Sequence, residues 1–142
     1  MGANRTAKLE ALSRAPLFEG LSRKDLGLVA RAADEVEVAA GRPLFAEGET
    51  GREFFVVVEG EAEVTRNGRH LMTCRAGDFL GDISLIAQTS RRASATATTP
   101  MRLFVISRER FLHLLDEHPK VERKVLRSLA VRVLAGSSEP TL

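Results

Sequence analysis

The chemistry of this chain is concentrated in Ala76–Ala97, AGDFLGDISLIAQTSRRASATA. The stretch opens on a tight turn at Gly77-Asp78, and a second glycine, Gly81, precedes an acid, Asp82. A short apolar run, Ile83-Ser84-Leu85-Ile86-Ala87, leads to Arg91-Arg92-Ala93-Ser94. A glycine at the start of one helical turn lets backbone N–H groups point at an anion. An arginine a few residues on supplies a planar, permanently charged fork that suits phosphate oxygens. An acid beside the glycine can accept hydrogen bonds from sugar hydroxyls. Anion site, cation and hydroxyl acceptor within one loop suggest a ribose phosphate.

No other constellation competes with it. His70, His113 and His118 lack metal-ligand spacing. No nucleophile elbow, P-loop or zinc-protease pattern occurs, so the chain is read as a binding protein and not an enzyme. The single cysteine, Cys74, excludes an internal disulfide and reads as a small buried hydrophobe in a reducing cytoplasm. The 142 residues suffice for one domain with a real core. With 21 Lys and Arg against 19 Asp and Glu, net charge is only +2, which argues against a strongly basic nucleic-acid binder. No apolar run approaches the roughly 18 residues of a membrane span. The first residues, MGANRTAKLEAL, have no apolar leader core. Met1-Gly2 with Thr6 loosely fits an acylation pattern, but nothing else points to a membrane.

The elements that must position the stretch follow from periodicity. Residues 5–15 read as a short helix ended by Pro16. Ser22 and Asp25 form a variant capping box for a second helix through about Ala33. From Asp34 the period becomes two. Strands are expected at Val36–Val38, Leu44-Phe45, Phe54–Val58, Glu61–Arg66, Arg69–Cys74, Ser94–Thr98 and Met101–Ile106. Asn67-Gly68 predicts a tight hairpin, because a type I′ turn needs positive φ at both central residues. Ser107 can cap a helix carrying Phe111, Leu114 and Leu115 on one face, and Pro119 fits the first turn of a last helix that Gly136 stops. Strands this short and closely spaced favour a small β-sandwich or barrel.

Helices, a roll and two more helices around a Gly-acid…Arg-x-Ala cassette resemble the cyclic nucleotide-binding domain family. The residues carrying the resemblance are Phe79–Leu85 and Arg91–Ala95, with Phe45–Glu49, Phe54–Gly60 and Gly77–Phe79 upstream. It covers roughly Leu17 to Ala135 and implies an eight-stranded jelly-roll β-barrel flanked by N-terminal helices and two C-terminal helices. Residues 17–106 would form the first helical part and the roll, 107–135 the lid helices and 136–142 a frayed tail. By this resemblance Gly81 and the turn through Asp82, Ile83 and Ser84 would offer N–H groups, and Arg91 would pair with the phosphate oxygens. Ala93 would add a backbone N–H, and Asp82 would take the ribose 2′-OH. Val64, Leu71 and Cys74 would line the base side, and the last helix would close over the base.

Two positions depart from the family. Asp82 stands where Glu is usual, one methylene short of the hydroxyl. Arg92 stands where Ser or Thr is frequent. In strand geometry Arg91 and Arg92 point to opposite faces, so Arg92 is either a second cation or solvated outside.

The expected function is a cytoplasmic regulatory module that binds a cyclic nucleotide, cAMP ahead of cGMP, and signals by moving its C-terminal helices. The alternative is a protein-interaction domain with a degenerate pocket. The last helix carries Lys120, Arg123, Lys124, Arg127 and Arg132, read as a solvated face. Its wide apolar rows leave room for a homodimer or an effector protein. Related regulators place a helix-turn-helix domain after this helix; this chain ends at Leu142 and is expected to bind DNA without specificity. No cofactor or metal is expected.

Overall fold

A strand that is apolar at every position must be covered on both faces, and Phe54–Val57 is such a run. In the computed structural model, which describes residues 2–15, 18–81 and 89–134, this run lies at the centre of three layers. The elements are α1 (Gly2–Ser13), α2 (Arg23–Ala32), β1 (Ala33–Val38), β2 (Pro43–Phe45), β3 (Glu53–Glu59), β4 (Ala62–Arg66), β5 (Arg69–Cys74), β6 (Phe79–Leu80), β7 (Ser94–Ala97), β8 (Met101–Ser107), α3 (Arg108–Glu117) and α4 (Pro119–Leu134).

The strands form two four-stranded antiparallel sheets, ordered β1-β8-β3-β6 and β2-β7-β4-β5. The pairs β1·β8, β2·β7, β3·β6 and β4·β5 nest like a long hairpin, and β8·β3 and β7·β4 fold that ribbon over on itself. This is the jelly-roll order. The roll is two facing sheets joined by side-chain packing, not a closed hydrogen-bonded barrel.

One core lies between the sheets and holds Phe55, Val57, Val64, Cys74, Leu80 and Leu103. The other lies between the β1-β8-β3-β6 sheet and the helices, and takes Phe54, Val56, Phe104 and Ile106 from the opposite faces of the same strands. Phe18, Phe54 and Phe111 meet there, with Phe18 and Phe54 edge to face at 5.5 Å and Phe54 and Phe111 stacked at 6.3 Å.

Local signals place most boundaries. Ser22 caps α2 by accepting from the Asp25 N–H at 3.1 Å. Ser107 caps α3 by accepting from the Arg110 N–H at 3.2 Å. Asn67 and Gly68 have φ of 53° and 77°, the tight hairpin that the dipeptide predicts. α1 spans Gly2–Ser13, not 5–15, and β6 is a strand that the sequence pattern leaves inside the cassette. Pro16, Gly136 and the tail lie outside the described residues.

The aromatic cluster makes a direct stability test. Phe111→Ala empties a fully buried site and is expected to lower the unfolding free energy by about 3–5 kcal/mol in urea titration. Leu126→Ala, at a side chain 49% exposed, is expected to change it by no more than about 0.5 kcal/mol.

Candidate functional site

The cassette is held at its start by the turn that precedes it. Asp78 accepts the Arg75 N–H through Oδ2 at 2.8 Å, and the Asp78 N–H donates back to the Arg75 carbonyl at 2.9 Å. The same turn bonds to β3, through Gly77 N–H to the Val57 carbonyl and Val57 N–H to the Asp78 carbonyl. β6 then pairs with β3 at Phe55 and Val56 and delivers Gly81 to the mouth of the roll.

At the far end, residues 89–91 run against the loop after β2. The Arg91 N–H donates to the Glu49 carbonyl at 2.6 Å, the Gly48 N–H donates to the Arg91 carbonyl at 2.9 Å, and Thr50 bridges Ser90. The loop is braced in turn. Glu49 Oε1 accepts the Ala46 N–H, Glu47 Oε1 accepts the Asn67 N–H of the β4–β5 turn, and the Glu47 N–H donates to Ser94 Oγ.

These anchors give residues 91–93 the alternation of a strand. Arg91 is 4% exposed, Arg92 is exposed and Ala93 is fully buried. The two arginines therefore face opposite ways. The outward Arg92 gives its carbonyl to Arg66 Nε at 2.9 Å. Arg91 points inward. Its Nη2 donates to the Glu53 carbonyl at 2.6 Å, and its guanidinium carbon sits 4.3 Å from the Phe45 ring centroid and 5.9 Å from that of Phe55.

Gly81 closes the third side, with φ of 93°. A Cβ there would fall on Arg91 Nη1 and 2.8 Å from the Glu53 carbonyl oxygen. Both the positive φ and the lack of a side chain are required for the guanidinium to sit where it does. Asp82, Ile83 and Ser84 lie outside the described residues.

The expected base-side residues share the inner face of the second sheet. Phe45, Ala95, Val64 and Met72 form one cross-strand row, and Ala97, Ala62 and Cys74 a second. Val64 and Cys74 are fully buried. A register shift between Val64 and Thr65 makes Leu71 the extra residue of β5, so consecutive Leu71 and Met72 both pack on the inter-sheet core. A groove of about 560 Å³ opens beside Arg91, walled by Phe45, the Gly48–Thr50 loop, Arg52 and Glu53. Two arginines and two glutamates are among the residues that line it.

In the reading of the sequence Phe45 is a strand residue that helps carry the resemblance, with no contact to Arg91 assigned, and the Glu53 carbonyl has no role. A backbone acceptor carries no residue-type signal, and Phe45 alone reads as one more core aromatic. Among the described residues no three His, Cys, Asp or Glu side chains cluster to hold a metal ion. His70 pairs with Glu63 at 3.0 Å and His113 with Glu117 at 3.2 Å.

Burial pushes the Cys74 thiol up from 9.0 to about 12, and the Asp78 carboxylate adds to the shift. The thiol is neutral at physiological pH and is expected to resist a thiol reagent at about pH 8 until the chain is unfolded. The folded form holds this proton more tightly than the unfolded one. Its contribution to stability is therefore complete below about pH 9 and is lost as pH rises toward 12. Fast labelling of the native thiol would contradict this placement. Gly81→Ala must displace Arg91 and strain the backbone, and is expected to cost about 1–3 kcal/mol in chemical denaturation. An unchanged midpoint would show that the close approach is absent.

Comparison with known proteins agrees with this geometry. The cyclic nucleotide-binding domain model matches residues 35–118. A cAMP-dependent protein kinase regulatory subunit of Eremothecium gossypii is 32% identical over 115 residues, covering 78% of this chain and 24% of that protein. A CRP-like cAMP-activated global transcriptional regulator of Mycobacterium tuberculosis is 27% identical over 129 residues, covering 87% of this chain and 58% of the regulator. This chain thus spans about a quarter of the one relative and just over half of the other. The crystal structure of the N-terminal domain of a transcriptional regulator from Streptomyces coelicolor A3(2) superposes with a TM-score of 0.81 at 28% identity, covering 93% of this chain and 97% of that one. With its roll, its buried cassette arginine and this match over most of its length, the chain belongs to the cyclic nucleotide-binding domain family.

Proposed function

We propose that this chain is a regulatory module that binds a cyclic nucleotide, cAMP ahead of cGMP, and signals through its last two helices. One observation carries the reading: a guanidinium 4% exposed, turned into the roll beside a glycine with positive φ. A permanent charge in such a place is costly to keep unless its environment and an anion repay it. The names of the two relatives above favour cAMP, and both describe regulatory proteins rather than catalysts.

In this reading Arg91 takes the exocyclic phosphate oxygens, Gly81 through Ser84 and Ala93 supply N–H groups, and Asp82 takes the ribose 2′-OH. Val64, Leu71 and Cys74 flank the base. The outward Arg92 is left to solvent.

The helix movement has a physical route. The Glu53 carbonyl holds Arg91, while the neighbouring Arg52 carbonyl accepts the N–H of Arg108, the first residue of α3, at 2.8 Å. A phosphate drawing Arg91 away from Glu53 pulls on the strand end to which α3 is tied. The ligand shifts α3 and α4 only by its differential affinity for the two arrangements. Leu126 and Val131, 49% and 59% exposed on α4, support a protein partner or second copy there. No described helix is long and apolar enough to cross a membrane, and the reading places the module in the cytoplasm without sequence-specific DNA binding of its own.

Calorimetry with cAMP and cGMP tests the proposal. Saturable heat, with cAMP the tighter ligand, is expected. Arg91→Ala removes charge-assisted bonds worth about 1.5–3 kcal/mol and should weaken binding at least about tenfold. No heat and no thermal shift at millimolar ligand would leave the degenerate interaction domain as the function. Unchanged affinity in Arg91→Ala would remove Arg91 from the phosphate site.

A further inference from the structure

We propose that Phe45 is the positioning residue for Arg91, its ring fixing where the guanidinium meets the ligand. The inference rests on the reading of Arg91 as the phosphate's cation. The main chain of Arg91 is clamped at both its N–H and its carbonyl by Glu49 and Gly48. The far end of its side chain meets, among the described residues, the Glu53 carbonyl at 2.6 Å and the Phe45 ring at 4.3 Å. The ring is itself immobilised. Phe45 is 7% exposed, pairs with Ala95 across β2 and β7, and meets Phe55 edge to face at 5.8 Å.

The alanines at 93, 95 and 97 are all buried. They belong to the same inter-sheet core as Phe45 and Phe55. A ring attracts the cation through its face and takes up none of the N–H groups that a phosphate reads.

The test uses Phe45→Leu, which keeps an apolar filler without the aromatic face, and Phe45→Tyr, which keeps the face. Arg91→Lys identifies the Arg91 Nε–Hε resonance in ¹H–¹⁵N spectra of the full chain. Phe45→Leu is expected to move that resonance and to weaken cAMP binding about tenfold. Phe45→Tyr is expected to preserve both. The loss caused by Arg91→Lys should shrink in the Phe45→Leu background, because the two side chains act as a unit.

An unmoved resonance with unchanged affinity in Phe45→Leu would overturn the proposal. So would losses that simply add, which is the behaviour of a filler residue. If the wild-type chain takes up no cAMP, the functional reading above fails by itself. The Nε–Hε shift in unliganded Phe45→Leu still decides whether the ring holds the guanidinium.

Discussion

A guanidinium that never gives up its charge is packed inside the roll, and much of the surrounding sequence answers to that fact. Burying an ion without compensation costs several kcal/mol. Arg91 is met by a carbonyl from β3 and the face of Phe45. Gly81 carries no side chain because one would overlap the Arg91 Nη1 atom. The inward positions of β7, Ala95 and Ala97, are small residues buried in the core that also holds Phe45 and Phe55. Gly81 and Phe45, thirty-six positions apart in the chain, thus answer to the same guanidinium.

The second constraint is that β3 has two interiors. Phe55 and Val57 face the other sheet, and Phe54 and Val56 face the helices. Strands at the sheet edges are different. β1 sets Asp34, Glu35 and Glu37 in solvent, charges that discourage pairing with another chain. The continuous apolar pattern of β3 and the broken one of β1 both follow from position in the jelly roll.

Much of this was legible in the chain itself. Asn67-Gly68, Ser22 and Ser107 act over three or four residues, and local signals of that range placed the hairpin and both helix starts. Alternating and continuous apolar runs marked seven strands, six of them within a residue or so and β1 three residues short at its start. β6 was not legible, since two residues are too few to show a period, and its pairing with β3 is long-range. The opposed directions of Arg91 and Arg92 followed from strand alternation alone. Two of the contacts that hold Arg91 did not: they are made with a main-chain oxygen at Glu53 and a ring at Phe45, some forty residues upstream. The β5 bulge, which turns Leu71 and Met72 to the same core, is likewise set by pairing and not by type.

The start of β3 joins these constraints. Arg52 gives its carbonyl to the first N–H of α3, Glu53 gives its carbonyl to Arg91, Phe54 packs on Phe18 and Phe111, and Phe55 packs on Phe45. Four consecutive residues therefore alternate in their contacts between the roll interior and the helix side of the sheet. Close-packed cores resist continuous deformation and repack between discrete arrangements. Glu53 lies between Arg52, whose carbonyl is bonded to the first N–H of α3, and Phe54, which is buried in the helix-facing core. The start of β3 thus bonds both to Arg91 and to the first residue of α3, and α4 packs on with Val121 and Val125 buried in the same core as Phe111.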